Sequence, residues 1–206
     1  MKIIERKIFS FQENDFFIPV RDKFDYAKLL MLAARQILLN VDLQNATSGA
    51  EMKLVVDRMS RLFFYKGQKY FSISFPFTVL IEGESIVELA TRAGKKVDHK
   101  TISAVISILD SSEYRLNPSL IDYYIEPGSI ESSGIFLLEE LFLFEPAYIR
   151  YDCDPERENG KLHPLNHLDV NYSQYGTFKL GLYEPIDQTY FENLQNVTTD
   201  CSFIVE

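Results

Sequence analysis

Tryptophan is absent from this chain, and cysteine and histidine are scarce, with two and three copies respectively. Cys153 and Cys201 stand far apart, so neither a disulfide framework nor a cysteine-rich zinc site is available, and a reducing cytosol is the expected compartment. Apolar runs of membrane-spanning length are missing too. The longest, from Ile135 to Phe144, is interrupted by Glu139 and Glu140. The opening MKIIERKIFSFQEND breaks each apolar run with charge, which is not the pattern of a signal peptide. Basic residues are in deficit, 21 Lys and Arg against 30 Asp and Glu, for a net charge of −9. A general nucleic-acid binder needs a basic footprint, so a protein partner is expected instead. There is no P-loop, G-x-S-x-G, dinucleotide fingerprint, H-E-x-x-H or C-x-x-C, and no cofactor is implied by motif.

The chain is rich in core-forming side chains: 46% of residues are hydrophobic, and 16 Phe and 12 Tyr predict an aromatic-rich interior. Its 206 residues are most simply one domain. We expect an α+β fold with an antiparallel or mixed sheet and helices packed on one face. A scaffold part would span about residues 1–130, and a hairpin and helix part about 131–206.

Local patterns predict the elements. Lys2 to Val20 reads as a strand or extended arm. Leu30, Ala33, Ala34, Ile37, Leu38 and Val41 have helical spacing, giving a helix of about five turns that ends near 42–45. Met52 to Tyr65 fits helix or strand. Phe71, Ile73, Phe75, Phe77, Val79 and Ile81 alternate as one half-buried strand, with Pro76 at an edge or bulge, and Lys66-Gly67-Gln68 turns a hairpin before it. Ser85-Ile86-Val87-Glu88 has the form of a capping box opening a short helix that stops at Gly94. Asp98 caps a second helix with Ile102, Val105, Ile106 and Leu109 on one face. This pair has the outline of a helix-turn-helix, with Arg92, Lys95, Lys96, His99 and Lys100 at the junction. Plain packing and ordinary helix-end charge explain both features as well. Glu126-Pro127-Gly128-Ser129 is a surface connection. Ser133 to Phe144 leans to helix, and Thr177 to Leu182 is a strand with Phe178, Leu180 and Leu182 inward. Asp187 caps a last helix, with Ile186 and Phe191 as a hydrophobic staple.

The versatile side chains collect between Ala147 and Tyr172. Strand alternation puts Tyr148, Arg150, Asp152 and Asp154 on one face of a first segment, and His167, Asp169 and Asn171 on one face of a second. Pro155 ends the first strand. Paired as a hairpin, the segments would present Asp152, Asp154, His167 and Asp169 together, an oxygen and nitrogen ligand set suited to Zn, Mn or Mg. In a metal-assisted hydrolase of the phosphodiesterase or nuclease kind, His163 would act as acid or base, and Arg150 and Lys179 would stabilise phosphate charge. The solvated polar face of an amphipathic hairpin has the same pattern. Cys153 falls on the apolar face, as packing and not as a nucleophile. Glu51-Met52-Lys53 echoes the E-x-K of restriction-type nucleases over three residues only.

Arg150-Tyr151-Asp152-Cys153-Asp154, His163-Pro164-Leu165-Asn166-His167-Leu168, Gly176-Thr177-Phe178-Lys179-Leu180 and Glu184-Pro185-Ile186-Asp187 with Phe191 follow one another in an order that resembles the C-terminal half of the bacterial family DUF2290. The resemblance covers about the last 60 residues. That family has an arginine where this chain has Lys179, which lacks the planar fork for bidentate binding. The same R-Y-D, H-P, H order is also similar, over fewer residues, to a motif of small bacterial toxins. The DUF2290 resemblance implies a bacterial protein and no particular activity. Together with the missing catalytic motifs, it points to an interaction or accessory component, of a mobile or defence-type gene group, with the Asp/His residues structural.

Overall fold

The structure, a computed structural model, describes residues 1–39, 49–58, 60–83, 85–125, 132–172 and 175–203. The fold is α+β, built on antiparallel strands. Its residues group into two compact units, the first from 1–13, 44–74 and 146–206 and the second from 14–43 and 75–145.

The first unit is a seven-stranded sheet. Its strands are β1 (Lys2–Ile8), β2 (Ala50–Val56), β3 (Arg61–Lys66), β4 (Lys69–Ser74), β7 (Ile149–Cys153), β8 (Asn166–Val170) and β9 (Phe178–Leu182), hydrogen-bonded in that order. Met52–Tyr65, open between helix and strand by periodicity, forms β2 and β3. The β3–β4 hairpin turns at Gly67-Gln68, as its composition predicted. The step from β4 to β7 joins residues about 80 positions apart, with Lys69 opposite Asp152 and Phe71 opposite Arg150.

One sheet face carries an aromatic cluster of Phe63, Tyr65, Tyr70, Tyr151, Leu168 and Phe191, with Ile149, Cys153, Leu182 and Ile186 packed against it. Burying such side chains stabilises by roughly 1.5–3 kcal/mol each. Phe191 comes from α7 (Gln188–Asn193), whose cap Asp187 accepts a 2.7 Å hydrogen bond from Tyr190 N. The predicted cap is present, and Ile186 packs against the cluster to which Phe191 belongs. Gln195, just past α7, accepts from the buried Arg61 at 2.9 Å and ties the helix to β3.

The second unit packs α2 (Lys23–Leu39), α3 (His99–Asp110) and α6 (Ser132–Phe142) with the two-stranded ribbon β5 (Thr78–Glu82) and β6 (Ser85–Ala90). The 3-10 turn Ser10–Gln12 and the short helices α1 (Glu13–Phe16), α4 (Ser112–Leu116) and α5 (Ile121–Ile125) are the remaining described elements. Asp98 caps α3, its Oδ1 accepting from Thr101 N at 2.9 Å, and Ile102, Val105 and Leu109 are buried. Gly134 lets α6 approach α3: a Cβ there would lie 2.4 Å from Ala104 Cβ.

Two expectations in this region fail. Ser85–Glu88 does not open a helix but lies in β6, because Ile86 and Leu89 are buried and the backbone pairs with β5. The helix-turn-helix outline goes with it: of the basic cluster, Arg92, Lys95 and Lys96 lie in the connection after β6, and His99 and Lys100 in the first turn of α3. The alternation from Phe71 to Ile81 is two strands in two sheets, β4 and β5, separated by Phe75-Pro76-Phe77. The predicted end of α2 near 42–45 and the 126–129 connection lie outside the described residues. No described helix is long and apolar enough to cross a membrane.

Candidate functional site

Two rows of side chains cross the sheet face opposite the aromatic cluster. The first runs Phe64, Phe71, Arg150, Asp169, Lys179, and the second runs Lys69, Asp152, His167, Gly181. Each row follows from antiparallel register, since directly opposed residues project to one side. The hairpin read from alternation therefore forms, with Asp152 opposite His167 and Arg150 opposite Asp169.

Its polar groups engage one another. Arg150 lies between the carboxylates, donating from Nη2 to Asp169 Oδ2, with Nε 2.6 Å from Asp152 Oδ2. The Nε–H is not aimed at that oxygen, so this second contact is an ion pair without hydrogen-bond alignment. Nη1 reaches the buried Tyr148 hydroxyl at 3.5 Å. Lys179 Nζ lies 3.1 Å from Asp169 Oδ1 and 3.0 Å from His167 Nε2. Thr177 donates to Asp169 Oδ1 at 2.6 Å, and Lys69 Nζ stands 3.9 Å from Asp152 Oδ1.

An ammonium has no lone pair to offer, so Lys179 donates and His167 Nε2 accepts. The ring proton therefore sits on Nδ1, which donates to Pro164 O at 2.9 Å. That bond folds the connecting loop back over the face. Pro164 covers Gly181, where an added Cβ would lie 2.9 Å from Pro164 Cγ. Burial pushes the Asp169 carboxyl up, but the Thr177 hydroxyl and the charges of Arg150 and Lys179 outweigh it and hold the group below its ordinary 3.8. Burial likewise pushes the Tyr148 phenol up.

Of the four predicted metal ligands, the structure brings three together: Asp152, His167 and Asp169 offer ligand atoms within 4.8 Å of one another, all three residues buried. Asp154 is not among them. It stands past the end of β7, and its Oδ1 accepts from Arg157 N, closing the turn after the strand. His163 stacks edge-on against His167 with ring centres 4.6 Å apart, and its Nδ1 is buried without a hydrogen-bond partner. Asp152 Oδ1 is likewise buried and unpartnered by any hydrogen bond.

Arg150 and Lys179 sit where they were predicted, against the carboxylates. Glu51 and Lys53 do not join the cluster: Lys53 pairs with Glu192 at 2.8 Å beside α7. Tyr65 donates to the same carboxylate at 2.5 Å, and burial with that partner raises its phenol. Cys153 packs on the apolar face, as alternation predicted. Sequence reasoning missed Thr177, Lys69 and Gly181. Thr177 was within reach, being two residues before Lys179 on the same strand face. No local pattern could have found Lys69, which arrives through the distant β4–β7 pairing.

No family model matches this chain, no curated protein matches it and no solved structure matches it.

Proposed function

We propose that this chain is a protein-interacting accessory component and that its Asp/His cluster is structural. The observation carrying this reading is that the cluster closes on itself. Asp152 and Asp169 are answered by Arg150 and Lys179, and the His167 lone pair is taken by Lys179. Two carboxylates facing two cations leave no net charge to attract a divalent ion. The net charge of −9 suits a basic face on a protein partner. The DUF2290 resemblance of the last 60 residues supports a bacterial accessory protein of a mobile or defence-type gene group, and the scarcity of cysteine supports a reducing cytosol as its compartment.

Metal-assisted hydrolysis is the second reading, favoured by the close approach of Asp152, His167 and Asp169 and by the unpartnered Asp152 Oδ1 and His163 Nδ1. In that case Lys179, which is partly exposed, swings away to free His167 Nε2, and the three side chains hold the ion. His163 acts as acid or base, and Arg150 with Lys179 meets phosphate charge.

Thermal melting with and without Mn²⁺, Zn²⁺ or Mg²⁺ separates the two. The accessory reading expects no shift. A bound ion at a hundredfold excess over Kd would stabilise by about 2.7 kcal/mol, and a shift of that size lost in Asp152→Ala would overturn the closed-cluster reading and establish the metal site that the second reading requires.

A further inference from the structure

The two edges of the seven-stranded sheet differ in kind. β1 carries Lys2, Glu5, Arg6 and Lys7, the charged edge that discourages pairing with another chain. β9 reads Phe-Lys-Leu-Gly-Leu, and its single charge is not on guard: Lys179 turns onto Asp169 and His167. Phe178 is 75% exposed and Leu180 39%, although alternation predicts both as inward. They do lie on the aromatic-cluster face, opposite Val170 and Leu168. Their exposure arises because no further strand flanks them among the described residues.

From this we infer that β9 is a homodimer edge, pairing antiparallel with β9 of a second copy about a two-fold axis through Leu180. The strand is complementary to itself in that register. Leu180 faces Leu180, Phe178 faces Leu182, and Lys179 faces Gly181. No like charges meet, and the apolar side chains of both copies fall on one face, because directly opposed residues of an antiparallel pair share a side. Centring the axis on Lys179 instead would oppose two lysines. A two-fold interface of this kind uses one patch twice and needs no separate partner surface. Strands this short give a small contact, so the dimer forms with rising concentration.

The test is molar mass by light scattering or sedimentation over a concentration series of the full chain. The mass should rise from one chain to two, while Leu180→Lys, which sets two ammonium groups together at the axis, stays at one chain with an unchanged melting curve. An independent arm uses Cys201→Ser to remove the exposed native thiol. Adding Leu180→Cys should then give a disulfide-linked dimer on mild oxidation, because opposed Cα atoms of about 4.5–5.5 Å fit a disulfide. Phe178→Cys, which opposes Leu182, should not. A mass of one chain at all concentrations, a dimer untouched by Leu180→Lys, or equal cross-linking at both positions would each overturn the pairing.

Discussion

Arg150 is the residue whose loss should cost the cluster most, because among the described residues it alone pairs with both buried carboxylates, Asp152 and Asp169. Arg150→Met leaves Asp169 to Lys179 and Thr177 and Asp152 to Lys69 at 3.9 Å, so it should destabilise by less than the about 3–5 kcal/mol of a fully uncompensated buried charge, to be read from urea unfolding. Asp169 gives the pH signature. Its folded carboxyl lies below the ordinary 3.8, so its contribution is fully present above that value and is lost as pH falls through the lower folded value. The stability difference between wild type and Asp169→Asn should therefore shrink as pH falls below 3.8, which unfolding curves at stepped acid pH will measure. A difference that held constant into acid would contradict the pairing. Alternation alone had placed Arg150, Asp152, His167 and Asp169 on matching faces. Asp154 fell outside because the alternation was extended past the last paired residue, Cys153, where the chain turns away and the carboxylate serves the turn.

Close packing at two glycines and one cap governs the elements. At Gly181 an added methyl meets the rigid Pro164 ring, and at Gly134 it meets Ala104 across the α3–α6 contact. Overpacking of this sort costs about 1–3 kcal/mol, so both alanine variants should melt early despite alanine's better helix propensity at Gly134. The two differ in one respect: Gly181→Ala pushes on the loop that supplies Pro164 O to His167, and should also shift the His167 ring signals in NMR spectra. Asp98→Ala removes an observed cap and is expected to cost about 1 kcal/mol. The other sequence signal of this type, Ser85 to Glu88, failed because a capping box is a local preference worth little against strand pairing and the burial of Ile86 and Leu89. Likewise, an unbroken alternation from Phe71 to Ile81 says which residues are apolar on one side. It does not say where one strand stops and another sheet begins.

At the scale of the molecule, the first unit is assembled from three separated pieces of chain. Removing residues 146–206 would strip β7, β8, β9 and α7, opening the edge of β4 and uncovering Phe63, Tyr65 and Tyr70. That truncated chain should aggregate or bind a hydrophobic dye where the full chain does not. The amino-acid sequence by itself determined the α+β class, the β3–β4 and β7–β8 hairpins, the caps at Asp98 and Asp187, and the meeting of Asp152 with His167 and Asp169. Each of these depends on residues near in the chain, where periodicity and turn chemistry act directly. Only tertiary structure decided that Lys69 comes beside Asp152, that Lys179 takes the His167 lone pair, and that Phe178 stays exposed on an inward-pointing strand face. Those outcomes rest on the order in which distant strands pair, and side-chain periodicity along one strand carries no information about its neighbour.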